Sequence, residues 1–135
     1  MNNLSLDNIV VKHWIKFDYD VSCAIVYEHP HFIFNIEDSI IYKSLISNNF
    51  EDYNKLINTT NQFEHSESIF MKLKDSFSVG FLEQPDNQIK LYWHRKLQKY
   101  IIKDGCHRMA LIKFFNLDDE GKLPRRWFSI EGKRQ

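Results

Sequence analysis

Apolar residues in this chain recur either at every second position or at every third and fourth, and the spacing changes often enough to mark separate elements. Ile9-Val10-Val11 and Ser22 to Tyr27 read as short extended segments. Phe32-Ile33-Phe34 reads as another, after the turn-prone Glu28-His29-Pro30-His31. From Glu37 to Ser47 the spacing is helical. Ile40, Ile41, Leu45 and Ile46 share a face, and Glu37 and Asp38 fall in the first turn, where the helix dipole favours acids. Asn48-Asn49 ends that helix, and a shorter one is predicted over 51–57. Ser66 to Phe77 forms a third, with Ser66 as N-cap, Glu67 at the favourable dipole end, and Ile69, Phe70, Leu73 and Phe77 on one stripe. Gln84 to Asn87 is a turn. Ile89, Leu91 and Trp93 then alternate as a half-buried strand, His94 to Gln98 makes a hairpin-like connection, and Tyr100 to Lys103 returns. Cys106 to Phe115 is helical and apolar on most sides, which predicts burial. Asp118 to Gly121 is an exposed turn, and Trp127 to Ile130 returns as a strand before a basic tail. The predicted class is α+β, a small mixed sheet packed by several helices.

Composition adds boundaries to this picture. A length of 135 residues predicts a single domain, 1–135, able to bury a core without metal or disulfide staples. No apolar stretch has the length to cross a bilayer, and Met1-Asn2-Asn3-Leu4-Ser5 lacks a signal-peptide pattern. The two cysteines, Cys23 and Cys106, lie far apart, which fits a reduced, cytoplasmic setting. Formal net charge is zero but unevenly spread: residues 1–60 hold four Lys/Arg against eight Asp/Glu, residues 61–135 fourteen against ten. Between 88 and 113 seven basic residues face only Asp104, a local positive field that solvated faces explain in large part. This balance suits a small anionic ligand better than a long nucleic-acid track.

Within that field the run from Tyr100 to Phe115 changes period at Asp104-Gly105. A strand that turns at once into a helix aims backbone N–H groups and the positive dipole end at one point. With His107 and Arg108 in the first helical turn, the natural occupant is a phosphate, which Arg108 could grip with two prongs. Gly105 permits the turn and leaves the backbone bare. An ordinary Asp-Gly turn would explain Gly105 alone, and the two basic residues add the weight.

Ile102-Lys103-Asp104-Gly105-Cys106-His107-Arg108-Met109-Ala110-Leu111 resembles the Asp-Gly-x-His-Arg signature of the ParB/sulfiredoxin superfamily. The layout before it, a capped helix at His65 to Leu73, a strand, a short turn and a strand, is similar too. The resemblance covers residues 63–117. It implies a ParB/sulfiredoxin-like fold with a nucleotide-binding core there, preceded by a family-specific part over 1–60. Proteins resembling this signature hold a nucleoside triphosphate on the turn and helix N-terminus. ParB proteins use CTP as DNA-segregation clamps, sulfiredoxins use ATP to phosphorylate a sulfinic acid, and kinase members transfer phosphate to small hydroxyls, some in polysaccharide gene clusters. By that resemblance the cofactor-binding residues are Gly105, Cys106, His107 and Arg108.

Departures from the family narrow the expectation. ParB proteins carry a helix-turn-helix after this domain, whereas only a short tail follows Leu117, so no DNA partner is expected. Gly105 to Arg108 match the sulfiredoxin string, yet Asp104 stands where those proteins place a small residue. A cysteine at a helix N-terminus can be activated, but Cys106 also reads simply as a small residue accepted in the first turn. Asp104 beside phosphates would work with Mg²⁺ or a substrate hydroxyl, or would cap the motif helix. Glu67 occupies the place where kinase members keep an acidic base, with Glu64 as rival and a surface role as the plainer alternative. The expected catalytic set is Glu67, Asp104 and His107. His31 in its Pro-fixed turn is the candidate acceptor contact and Trp127 the candidate stacking surface, against plainer roles in a surface turn and in the core. His29, His31, His65 and His94 form no zinc spacing, so no metal ligands are predicted from them.

The leading expectation is an ATP- and Mg²⁺-dependent kinase acting on a small-molecule or sugar/glycan hydroxyl, in surface polysaccharide biosynthesis. The alternatives are a non-catalytic CTP/ATP-binding switch of ParB type and a sulfiredoxin-like ATP-dependent reductase.

Overall fold

The strand expected at Tyr100 to Lys103 becomes the middle of a five-stranded mixed sheet. The computed structural model describes residues 3–12, 33–60 and 63–134. In chain order these form β1 (Asn3–Ser5), β2 (Ile9–Lys12), β3 (Ile33–Asn35), α1 (Ile40–Ser47), α2 (Glu51–Thr60), α3 (Glu67–Ser76), α4 (Val79–Leu82), β4 (Ile89–His94), β5 (Lys99–Asp104), α5 (Cys106–Phe114), β6 (Lys122–Pro124) and β7 (Phe128–Arg134). The sheet order is β3-β2-β5-β4-β7, with β2 parallel to β5, β4 parallel to β7, and the other pairs antiparallel. β1 and β6 make a separate two-stranded ribbon. The α+β class follows directly from this order.

Strand alternation divides the core. Ile9, Val11, Ile89, Leu91 and Ile102 project to one side, where they meet Met109 and Ile112 of α5 together with Leu82, Leu123, Trp127 and Phe128. Val10, Tyr92 and Ile101 project to the other side. A second helical core lies beyond α5: Ile41 and Leu45 of α1, Phe50, Tyr53 and Ile57 in and beside α2, and Phe70 of α3 pack on Ala110 and Leu111. α5 is thus apolar on both flanks because it separates two cores, and the predicted burial of this helix holds from Met109 to Ile112.

Several boundaries differ from the sequence expectation for local reasons. Glu37 and Asp38 lie in a 3-10 turn (Ile36–Asp38) before α1, not inside it. The helix starts later because the Ser39 hydroxyl oxygen accepts the Tyr42 N–H at 3.2 Å, making Ser39 the N-cap. α2 runs on to Thr60. Ser66 occupies the N-cap of α3, but its side chain makes no capping bond and lies 3.4 Å from the Ser68 hydroxyl. Ile69, expected on the buried stripe of α3, is 45% exposed, while Phe70 is buried. The ribbon strands β1 and β6 and the short α4, capped by Ser78, are too short to show a period. Trp127 ends a 3-10 turn (Arg125–Trp127), and β7 begins one residue later. The predicted segment 22–27 and the residues Cys23, His29 and His31 lie outside the described residues. No helix among the described residues is long and apolar enough to cross a membrane.

Candidate functional site

The junction between β5 and α5 has the geometry expected of the Asp-Gly turn. Gly105 is the N-cap of α5 with φ 117° and ψ 23°, a conformation L side chains resist. Space is tight for a side chain as well, since a Cβ there would lie 3.0 Å from Ile89 Cγ2 and 3.1 Å from Ile89 Cγ1. As the cap is a glycine, it has no side chain to offer the N–H groups of the first turn. Asp104, expected as an alternative cap, precedes this position by one residue. Its exposed carboxylate lies 3.4 Å from Arg108 Nη2 instead.

Arg108 is engaged differently from the sequence expectation. Its Nη1 donates to the carbonyl of Asn87 at 2.6 Å and to that of Gln88 at 3.1 Å. With Asp104 on Nη2, and a side chain only 15% exposed, the guanidinium clamps the start of β4 to the start of α5. The two-pronged grip falls on backbone oxygens, so what Arg108 contributes directly is the shape of the turn.

His107, the second residue of α5, is drawn toward α2 and α3. Its Nε2 lies 2.8 Å from the Tyr53 hydroxyl, and its ring stacks on that of His65 at 4.6 Å and 21°. Phe70 presents an edge to it at 4.8 Å. Tyr53 is fully buried, stacked on Phe70, and its hydroxyl donates to the carbonyl of His65. Burial, aided by the negative charge of Glu67, pushes the Tyr53 phenol well above its ordinary value. Glu67 in turn accepts from Asn54 Nδ2 at 3.1 Å. The structure therefore bonds His107 to Tyr53 beside His65, bonds Glu67 to Asn54, the next residue of α2, and pairs Asp104 with Arg108.

Tyr53, Asn54 and His65 were not singled out for the site by the sequence. The available signal was Tyr53 itself, on the same helical face as Leu56 and Ile57. A tyrosine on an apolar face needs a partner for its hydroxyl.

Cys106 is a free, half-buried thiol packed against apolar side chains of both cores. Burial, and next the charge of Asp104, push the thiol up to about 12, with Arg108 and Lys12 pulling weakly the other way. At neutral pH it is a protonated thiol, not a nucleophile.

Trp127 does not serve as a stacking platform. Its ring is 2% exposed within the sheet core, and its Nε1 donates to Glu83 at 3.2 Å. A fully enclosed indole has no face to offer a sugar or base. Glu83 also accepts from Arg126, and the Arg126 and Trp127 hydrogen bonds hold its carboxyl below the usual range. His31 lies outside the described residues, and no group of three or more His, Cys, Asp or Glu among the described residues is placed to hold a metal ion.

Compared with known proteins, the chain matches no family model, no curated protein and no solved structure.

Proposed function

We propose that the Asp104–Arg108 turn and the start of α3 form the site of an ATP- and Mg²⁺-dependent phosphotransferase that acts on the hydroxyl of a small molecule or glycan, in a ParB/sulfiredoxin-like domain. The observation that carries this reading is the pair of bonds made by adjacent residues of α2, Tyr53 to His107 in the first turn of α5 and Asn54 to Glu67 at the start of α3, with the charge of Glu67 felt at the Tyr53 phenol. It joins a glycine-capped helix N-terminus, the right end of a dipole for phosphate, to a carboxylate that can take a proton. The order α3, the β4–β5 hairpin and α5 agrees with the order that the resemblance implies.

The donor set fits the group. Nucleotide phosphates would lie on the N–H groups of the first turn of α5, beside the imidazole of His107. Mg²⁺ favours one or two carboxylates plus substrate phosphates, and Asp104, exposed at the strand end, is the oxygen ligand at hand. Bound there, the ion would neutralise phosphate charge. Glu67 would accept the proton of the acceptor hydroxyl, and His107 would stabilise charge on the phosphate oxygens. Arg108 would hold the turn in shape. The thiol route of a sulfiredoxin-like reductase draws no support from a Cys106 that stays protonated.

The test is a thermal-shift panel of ATP, CTP and GTP with Mg²⁺, followed by transfer from γ-labelled ATP to simple sugars and amino acids. A ligand that binds only the folded state raises the melting point. ATP-dependent stabilisation with transfer lost in Glu67→Gln is the expected result. Stabilisation by CTP without transfer would favour the ParB-type switch, and no shift with any nucleotide would overturn the proposal.

A further inference from the structure

We propose that Tyr53 is a positioning residue whose hydroxyl holds the imidazole of His107 in the Nε2-protonated form. Counting protons decides the direction of the bond. A phenol has one O–H, and a carbonyl oxygen can only accept. The Tyr53 hydroxyl donates to the His65 carbonyl, so its proton is committed there. The 2.8 Å approach of His107 Nε2 to the same oxygen then requires the proton between them to belong to the ring. Loss of the phenol proton would reverse this assignment, but burial and the nearby charge of Glu67 keep Tyr53 neutral through the physiological range. The edge contacts of Phe70 and Tyr53 suffice to fix the ring orientation that this bond needs. His65 lies flat on one side of the imidazole, and Phe70 and Tyr53 present edges at 82° and 89°.

The consequence is a division of labour between the two ring nitrogens. Nε2 carries a permanent proton toward Tyr53, and Nδ1 becomes the atom at which the ring gains or loses its second proton. A residue of the N-terminal part thereby sets the chemistry of the motif histidine. Its bearing on transfer rests on the phosphate-site reading given above, whereas the protonation pattern can be read without any nucleotide.

The experiment is long-range ¹H–¹⁵N correlation on protein labelled at histidine, with the His107 signals assigned by their absence in His107→Gln. In the wild type the neutral ring should show Nε2 as the proton-bearing nitrogen and Nδ1 bare. Tyr53→Phe should lose this pattern and give a mixture of tautomers. His65→Ala, which removes the stacked ring but keeps the carbonyl that orients Tyr53, should retain it. An Nδ1-protonated neutral ring in the wild type would overturn the proposal, as would an unchanged pattern in Tyr53→Phe or its loss in His65→Ala. If Tyr53→Phe does not fold, the wild type and His65→Ala still decide. A fixed Nε2–H ring in a protein that binds no nucleotide would leave this inference standing and remove the proposed function alone.

Discussion

Replacing Gly105 by alanine separates two costs that a glycine can hide, because Gly121 provides an internal control. Both residues have positive φ, 117° and 83°, so an added Cβ strains either backbone by about 1–2 kcal/mol. They differ in surroundings. At Gly121 no atom lies within 4 Å of the added carbon, whereas at Gly105 it meets two carbons of Ile89 at 3.0 and 3.1 Å. Ile89 is fully buried and β-branched, so it has little room to yield, and overpacking of this kind costs about 1–3 kcal/mol. The unfolded-chain benefit of Gly→Ala is the same at both sites and cancels in the comparison. Gly121→Ala is therefore expected to lose about 1–2 kcal/mol, and Gly105→Ala about 2–5 kcal/mol. With a urea slope of about 1–3 kcal/mol/M, the two midpoints should differ by on the order of 1 M. Equilibrium urea unfolding, followed by intrinsic tryptophan fluorescence, reads this directly. Coincident midpoints would refute the steric argument, and a Gly105→Ala variant as stable as the wild type would refute both halves.

Four further outcomes follow from the same geometry. Arg108→Ala should cost about 2–4 kcal/mol, since it removes a charged donor from two backbone carbonyls, and Arg108→Lys should recover only part of this; urea titration of the pair checks it. The Cys106 thiol, pushed up to about 12, should react very slowly with iodoacetamide at pH 8 in the folded protein and quickly once unfolded. Its raised folded pKa also means that the unfolded chain loses this proton first, so stability should fall as pH rises from about 9 toward 12, a slope that Cys106→Ser should reduce in melting-point measurements. Trp127→Ala should destabilise by about 3–5 kcal/mol as a large core deletion, while ligand affinity measured well below the melting point stays unchanged.

The long periodic segments were legible in the sequence. The α3 pattern, the β4–β5 hairpin and α5 all lie within a residue or so of their expected ends, because each carries a full face of Ile, Leu, Phe or Met. Three-residue strands such as Asn3–Ser5 hold no complete period, and their pairing with Lys122–Pro124 depends on the distant chain. The Gly105 turn was legible because strand and helix periods meet there. The roles of Arg108 and Trp127 were not, since residue type says that a guanidinium or an indole seeks partners but not which ones. Arg108 found the carbonyls of Asn87 and Gln88, and Trp127 found the core and Glu83. The Tyr53–His107 bond joins α2 to α5 and was invisible to any local pattern.

The parallel pairing of Ile9 with Tyr100 has a consequence for how the chain is made. During synthesis at about 5–20 residues per second, β2 emerges roughly 5–20 s before the strand that completes it. Through that interval Ile9 and Val10 present an unpaired edge, with only β3 available beside the strand. The helices α1 and α2 wait for the same event, because the flank of α5 that they cover is translated after β5. The nascent first half is therefore a set of unfinished surfaces, and closure of the sheet at β5 is the step that removes them together.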